Sequence, residues 1–368
     1  MHANIRIAAS LAGILLAPVC LSAQTPSAPP PVTISGSVTS SFTSSNNASD
    51  RTIVGRLYGR NQNEFMFNVA NLTLDRAAPT DRAGAGFHVE TFFGQNAAVV
   101  KSTGLDLGPN ADIWQAYATL NLPLSGAGRY LQFKAGKMAT LLGIEVGEDV
   151  LNPNLEVGWQ DVFLEPFTET GVELDAKFSA RVDAELRVSN GWDQVTDVNT
   201  GKTLMARLGL TPNDKVLVAF VGYIGAEQPD SNGPKRTGVN ALTTLKLRST
   251  TTLSAQLDYG REEGIGPAGG DAAWTGAGVW LSQDLGSHAT LALRGDYMKD
   301  RDGARTSGVL GFPVNSGQTL GSLVATLNIK YWDNALLRPE VRYDHSSLAV
   351  FNGNKQQVSI ALGLSYIY

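Results

Sequence analysis

Link length alternates along this chain, and few folds have a use for that. Tight turns such as Pro123–Gly128, Thr211–Asp214, Leu285–Ser287 and Asp333–Ala335 follow every even-numbered amphipathic segment. Polar, Gly-rich stretches of roughly 10 to 30 residues follow every odd-numbered one. A soluble sandwich gives no such parity. An antiparallel barrel that spans a bilayer does, because its short turns lie on one side of the membrane and its long loops on the other.

The segments themselves read as strands. In 336–344, Val341 and Tyr343 fall on one face, and Arg338, Glu340, Arg342 and Asp344 on the other. A helix would scatter those four charges, whereas a strand puts them on one side because successive side chains alternate. Segments 172–178, 182–189, 253–259 and 289–297 sort in the same way. Sixteen candidate strands result: 32–42, 64–75, 84–93, 112–122, 130–138, 170–178, 182–190, 202–210, 216–225, 237–247, 251–260, 273–283, 288–299, 319–332, 336–345 and 356–368. Boundaries carry a margin of about 2–4 residues, and a count of fourteen or eighteen is compatible with the pattern. The faces of 64–75, 216–225 and 273–283 are mixed, which leaves Trp274 and Trp280 unassigned. The fold predicted is all-β: an up-and-down transmembrane barrel of about 16 strands over residues 32–368.

No later segment suits a membrane helix. The best apolar run, 216–226, is broken by Gly222 and Gly225 and falls far short of the ~20 residues needed. The front end reads as a signal peptide, residues 1–23, with an apolar stretch at 7–19 and a small residue, Ala23, for cleavage. A short Pro-rich segment, 24–31, follows. Cys20 is the only cysteine, so a chain cut after Ala23 has neither disulfides nor thiolate metal sites. The formal charge of −5 argues against nucleic acid as a partner.

Two further features fit an outer-membrane location. Phe42, Trp114, Phe178, Tyr259, Tyr297, Tyr331, Tyr343, Tyr366 and Tyr368 are expected outward near strand ends, as interfacial girdles. In the last segment Val358, Ile360, Leu362, Leu364, Tyr366 and Tyr368 share one face, and the sequence ends on an aromatic residue. Such a strand is similar to the signal by which barrel-assembly machinery receives outer-membrane proteins, with Tyr366 and Tyr368 as its aromatic residues.

Several motifs carry a family resemblance. Ala135-Gly136-Lys137 with Thr140, Gly143 and Glu145 resembles a segment of the OmpL-like β-barrel porins. Asn190-Gly191-Trp192-Asp193 with Asp197, Asn199, Gly201 and Lys202 resembles the same family's next long loop. Arg207-Leu208-Gly209 with Pro212, and Gly222-Tyr223 with Gly225 and Glu227, continue the resemblance, and Ala116-Tyr117 fits an upstream strand. It covers roughly residues 112–228. Leu141-Leu142 stands where a proline is usual after the threonine, and Ile144 where an aromatic is common. The resemblance implies an outer-membrane porin of a Gram-negative bacterium, in contact with lipid and lipopolysaccharide and compatible with a homotrimer, while the parity of links puts both termini on the short-turn side, which in such barrels is the periplasm. No particular solute follows from it.

A sixteen-stranded barrel is wide enough to hold water, so its polar faces become candidate pore wall. Those candidates are Lys134, Glu173, Asp175, Lys177, Asp183, Glu185, Arg187 and Arg207 in the first half. In the second half they are Lys246, Asp258, Arg294, Asp296, Lys330, Arg338, Glu340, Arg342 and Asp344. With nine basic and eight acidic members, the set predicts weak to moderate charge selectivity for small hydrophilic solutes or ions. Loop 139–169 is the longest; it carries Glu145, Glu148, Asp149, Glu156, Asp161, Glu165 and Glu169 and no basic residue. Folded into the lumen it would narrow the pore, with Glu145, Glu148 and Asp149 as constriction candidates. Left outside, it would be an acidic surface loop suited to divalent cations.

Two other classes compete with the channel. A soluble exported sandwich or adhesin shares the strands but not the parity. A barrel enzyme needs a histidine beside a nucleophile; after cleavage the candidates are His88, His288 and His345, and no G-x-S-x-G, H-E-x-x-H or P-loop motif occurs. Neither a catalytic residue, a cofactor nor a metal site is assigned.

Overall fold

The computed structural model describes residues 30–48, 51–126, 128–314 and 317–368. The expected signal segment, 1–23, lies outside the described residues, as does most of 24–31. Sixteen antiparallel strands form one closed barrel. They are β1 (Thr33–Ser45), β2 (Glu64–Arg76), β3 (Gly84–Phe93), β4 (Ala111–Pro123), β5 (Tyr130–Ala139), β6 (Thr168–Lys177), β7 (Val182–Trp192) and β8 (Thr203–Asn213). The second half holds β9 (Val216–Gly225), β10 (Arg236–Arg248), β11 (Thr251–Glu262), β12 (Ala272–Asp284), β13 (Ala289–Asp300), β14 (Gln318–Tyr331), β15 (Ala335–Ser346) and β16 (Gln356–Ile367). Each strand pairs with its sequence neighbours, and β1 pairs with β16. Every predicted segment is a strand, within the expected margins. A single closed sheet excludes the sandwich.

The barrel is inside-out relative to a soluble protein. On β16, Ile360, Leu362, Leu364 and Tyr366 face outward and are 48–59% exposed. The alternate residues Gln357, Ser359 and Ser365 are at most 1% exposed. An apolar outside and a polar inside suit a lipid exterior. No helix among the described residues is long and apolar enough to cross a membrane.

Closure depends on one small residue. Gly36 and Tyr368 exchange backbone hydrogen bonds of 3.1 and 3.0 Å. A Cβ on Gly36 would lie 2.2 Å from the Asn71 carbonyl oxygen and 2.5 Å from the Tyr368 hydroxyl. Gly36→Val is therefore expected to abolish most of the folded, fast-migrating form on unheated gels. Folding at the wild-type yield would contradict this account of the seam.

Most expected girdle aromatics do face outward; Phe178, Tyr259, Tyr297, Tyr331, Tyr366 and Tyr368 are 45–53% exposed. Trp114 departs from that expectation. It is buried inside, stacked on Phe92 with ring centroids 4.9 Å apart. Glu90 opposes Gln115 while Thr91 opposes Ile113, so Trp114 is the extra residue of a β-bulge. A bulge reverses the facing of the residues beyond it.

Candidate functional site

Residues 140–167, between β5 and β6, fold into the barrel. Their α-helix, α1 (Trp159–Phe163), lies against β12, β13 and β14. The wall is shaped for it: a Cβ on Gly276 would meet Leu164 at 2.5 Å, and one on Gly278 would meet the Gln160 side chain at 2.2 Å. Trp274 and Trp280, which flank these glycines on the inner face, are both buried. Strand β12 thus has apolar and small residues on both sides because a helix covers its inner side. Strand β9 is mixed for a related reason: Val221 and Tyr223 join Trp192, Met205 and Leu142 in one inner cluster, with Leu141 packed against it.

Charged wall residues hold the loop by its backbone. Arg338 donates to the carbonyls of Asp149 and Asn152 at 2.8 and 2.7 Å. Arg294 donates to the Glu156 carbonyl at 2.6 Å and to the Glu145 carboxylate at 2.7 Å. Arg342 donates to the Val157 carbonyl at 2.9 Å, pairs with Asp344 at 2.7 Å and lies 4.5 Å over the Trp159 ring. Glu340 accepts from the Leu155 amide at 2.7 Å, and Asp296 from the Trp159 amide at 2.6 Å. Asp258 accepts from the Gln160 side chain. From the loop between β1 and β2, Arg56 reaches in to Glu156 at 3.1 Å and Ser359 at 2.8 Å. Hydrogen bonds with an ionised partner are the strong ones, and these are shielded from water.

The acidic loop is therefore not a free negative surface. Glu145 and Asp149, each 3% exposed, are turned into the packing. Glu145 is neutralised by Arg294 and also accepts from the Gly158 amide at 2.6 Å. Burial, opposed by Arg56, pushes the Glu156 carboxyl up from its ordinary range. Burial and the Glu145 charge push Asp161 well up, and burial and Asp258 do the same for Glu165. Glu148 differs, because its carboxyl meets Gln115, which also bonds Glu90 on the wall.

The opposite wall carries cross-strand ion pairs. Glu173 joins Lys134 at 2.7 Å to Arg187 at 2.6 Å, and Arg187 reaches Glu169 at 2.8 Å. Arg207 pairs with Glu185 at 2.7 Å and Asp183 at 3.0 Å, while Lys177 approaches Asp183 at 3.6 Å. Between this wall and the loop lies a cavity of about 320 Å³, bordered by Trp114, Leu142, Glu145, Asp161, Glu185 and Arg207.

All seventeen wall candidates sit on the inner face, but in different settings. Asp258, Arg294, Asp296, Arg338, Glu340, Arg342 and Asp344 are buried beneath the loops. Lys134, Glu173, Asp175, Lys177, Asp183, Glu185, Arg187 and Arg207 form the facing wall on β5–β8. Lys246 and Lys330 lie exposed near the short-turn ends. Sequence reasoning missed Arg56 and Gln160; the mixed faces of 216–225 and 273–283 were the signal that something packs inside.

Comparison with known proteins agrees with this architecture. Among curated proteins none matches. The anion-selective porin from Comamonas acidovorans superposes with a TM-score of 0.61 at 11% identity, covering 92% of this chain and 99% of that one. The outer membrane channel DcaP of Acinetobacter baumannii gives 0.63 at 14%, covering 92% and 97%. Salmonella typhi OmpF gives 0.60 at 9%, also covering 92% and 97%. The family described as "Putative beta-barrel porin-2, OmpL-like" matches residues 31–368. The chain belongs to that family and is an OmpL-like outer-membrane β-barrel porin.

Proposed function

We propose that the protein is a passive, water-filled channel for small hydrophilic solutes or ions, and not an enzyme. The observation that carries this reading is the division of the lumen. Residues 140–167 are gripped by the charges of β13–β15, and a cavity of about 320 Å³ separates part of the loop from Glu185 and Arg207 on the facing wall. Lys134, Glu185 and Arg207 line the route in this reading, with buried Glu173 and Arg187 bracing Lys134 from the wall, and Glu145 and Asp161 border it from the loop. Balanced charge on the wall and neutralised carboxylates on the loop favour weak selectivity. The long loops face the outside and both termini the periplasm, with 1–23 removed on export. Tyr366 and Tyr368 serve recognition by the assembly machinery. A homotrimer fits the porin fold, and OmpT of Vibrio cholerae, a structural neighbour at 9% identity, is described in a trimer form.

Liposome swelling with sugars of graded size tests the channel. Small sugars are expected to enter and large ones to be excluded; absence of both swelling and bilayer conductance would refute the reading. Arg207→Glu should raise K⁺ over Cl⁻ permeability by roughly two- to fivefold, read as a reversal potential across a salt gradient. An unchanged potential would remove Arg207 from the route.

A further inference from the structure

The outer wall is not uniform. Along the outward face of β13 the residues run Leu293, Gly295, Tyr297, Lys299 and then Arg301 just past the strand end. That order is apolar, gap, interfacial aromatic, cation, cation. Aromatic rings sit at headgroup level, and cations just beyond them meet phosphates.

Two hollows accompany this line. One of about 470 Å³ lies on the apolar band, bordered by Val279, Leu293, Gly295, Leu323, Val341 and Tyr343. It exists because Gly295 has no side chain to fill it; a Cβ there would meet only Leu323, at 3.3 Å. The second, about 170 Å³, lies at the long-loop rim between Ala273, Thr275, Lys299 and Arg301. Lys299 has no ion pair among the described residues, and Arg301 spends only its Nε on Asp302, at 3.1 Å. Gly295 and Lys299 are four residues apart, ~13 Å along a strand. A single lipid reaches both.

We propose that the outer face of β12–β15 is a binding site for one phosphorylated glycolipid of the lipopolysaccharide type. Its phosphate rests on Lys299 and Arg301, and an acyl chain fills the hollow over Gly295. The assignment to a glycolipid rests on the reading that the long-loop rim faces the outside, where the phosphate-bearing lipid is of that kind. Charge complementarity selects a lipid over a second copy of the chain, since Lys299 and the free guanidinium nitrogens of Arg301, at the mouth of an apolar groove, match a phosphate with a tail.

Native mass spectrometry of the detergent-solubilised, folded barrel tests this with diphosphoryl lipid A and phosphatidylglycerol as probes. The wild type should retain one lipid A, and phosphatidylglycerol about tenfold less well. Lys299→Gln/Arg301→Gln and, separately, Gly295→Leu should each lower lipid A retention by about tenfold. All three positions face outward, so heat-modifiability and conductance should stay at the wild-type level. Equal retention by either variant, or equal retention of the two lipids, would overturn the proposal. So would a change in oligomer mass on Gly295→Leu, which would assign the groove to a second copy. Loss of conductance in the wild type would refute the channel and leave the lipid result standing.

Discussion

Replacing Arg294, Arg338 and Arg342 together with alanine is expected to raise single-channel conductance several-fold. These side chains reach the loop backbone at Asp149, Asn152, Glu156 and Val157. Arg294 also neutralises Glu145, and Arg342 covers the Trp159 ring. Removing one partner of a buried pair leaves an uncompensated charge, at a cost of about 3–5 kcal/mol. Glu145 and Asp344 both face that cost in the triple variant, and releasing the loop into water relieves Glu145. The strand ladder does not depend on these three side chains, so the barrel should remain heat-modifiable. Replacing 144–164 by a short Gly-Ser linker supplies an independent route to the same state and should raise conductance at least as far. If both variants conduct like the wild type, the loop does not narrow the passage.

The parity of links made the barrel legible, because a closed sheet in lipid forces strict alternation of facing. It failed where that constraint relaxes. Trp114 sits on a bulge, which no local pattern announces. In β9 and β12 both faces are apolar or small because the inner one is covered by protein rather than water. The family pattern pointed to the same spot unrecognised: Leu141-Leu142 replaces a usual proline, and Leu142 is buried among Met205, Val221 and Tyr223. The inward direction of the charges was readable from period two. Their division into a half that grips the loop and a half paired across the facing wall was not, because it depends on contacts such as Asn154 to Thr326, 172 residues apart.

That division also makes the loop sensitive to pH, and the joint at Glu148 is one source of that sensitivity. Open-state noise and brief high-conductance excursions are expected to increase as pH rises from about 5 to 8 and to level off above that. Burial first, and then the neighbouring charge of Glu90, push the Glu148 carboxyl up to about 8. Gln115 donates to Glu148 at 3.3 Å and to Glu90 at 3.2 Å, which brings the two carboxyls together. The other charged groups at the joint are His88, 3.7 Å from Glu90, and Asp75, 3.0 Å from His88. With the loop in place Glu148 holds its proton; with the loop released into water it ionises in the ordinary carboxyl range. Protonation therefore favours the seated loop. That contribution is complete below the ordinary range, falls as pH climbs, and is gone once pH passes about 8. One titrating proton changes the ratio of released to seated loop by at most about tenfold per pH unit. Glu148→Gln keeps the contact with Gln115 and carries no charge at any pH, so noise in its channels should rise less with pH than in the wild type, with Asp161 and Glu165, also pushed well up by burial, supplying the remaining rise. Noise in that variant that rises as steeply as in the wild type would place the sensor elsewhere, with Asp161 and Glu165 the next groups to replace. A wild type with flat noise would mean that the grip of Arg294, Arg338 and Arg342 alone holds the loop against any change at Glu148.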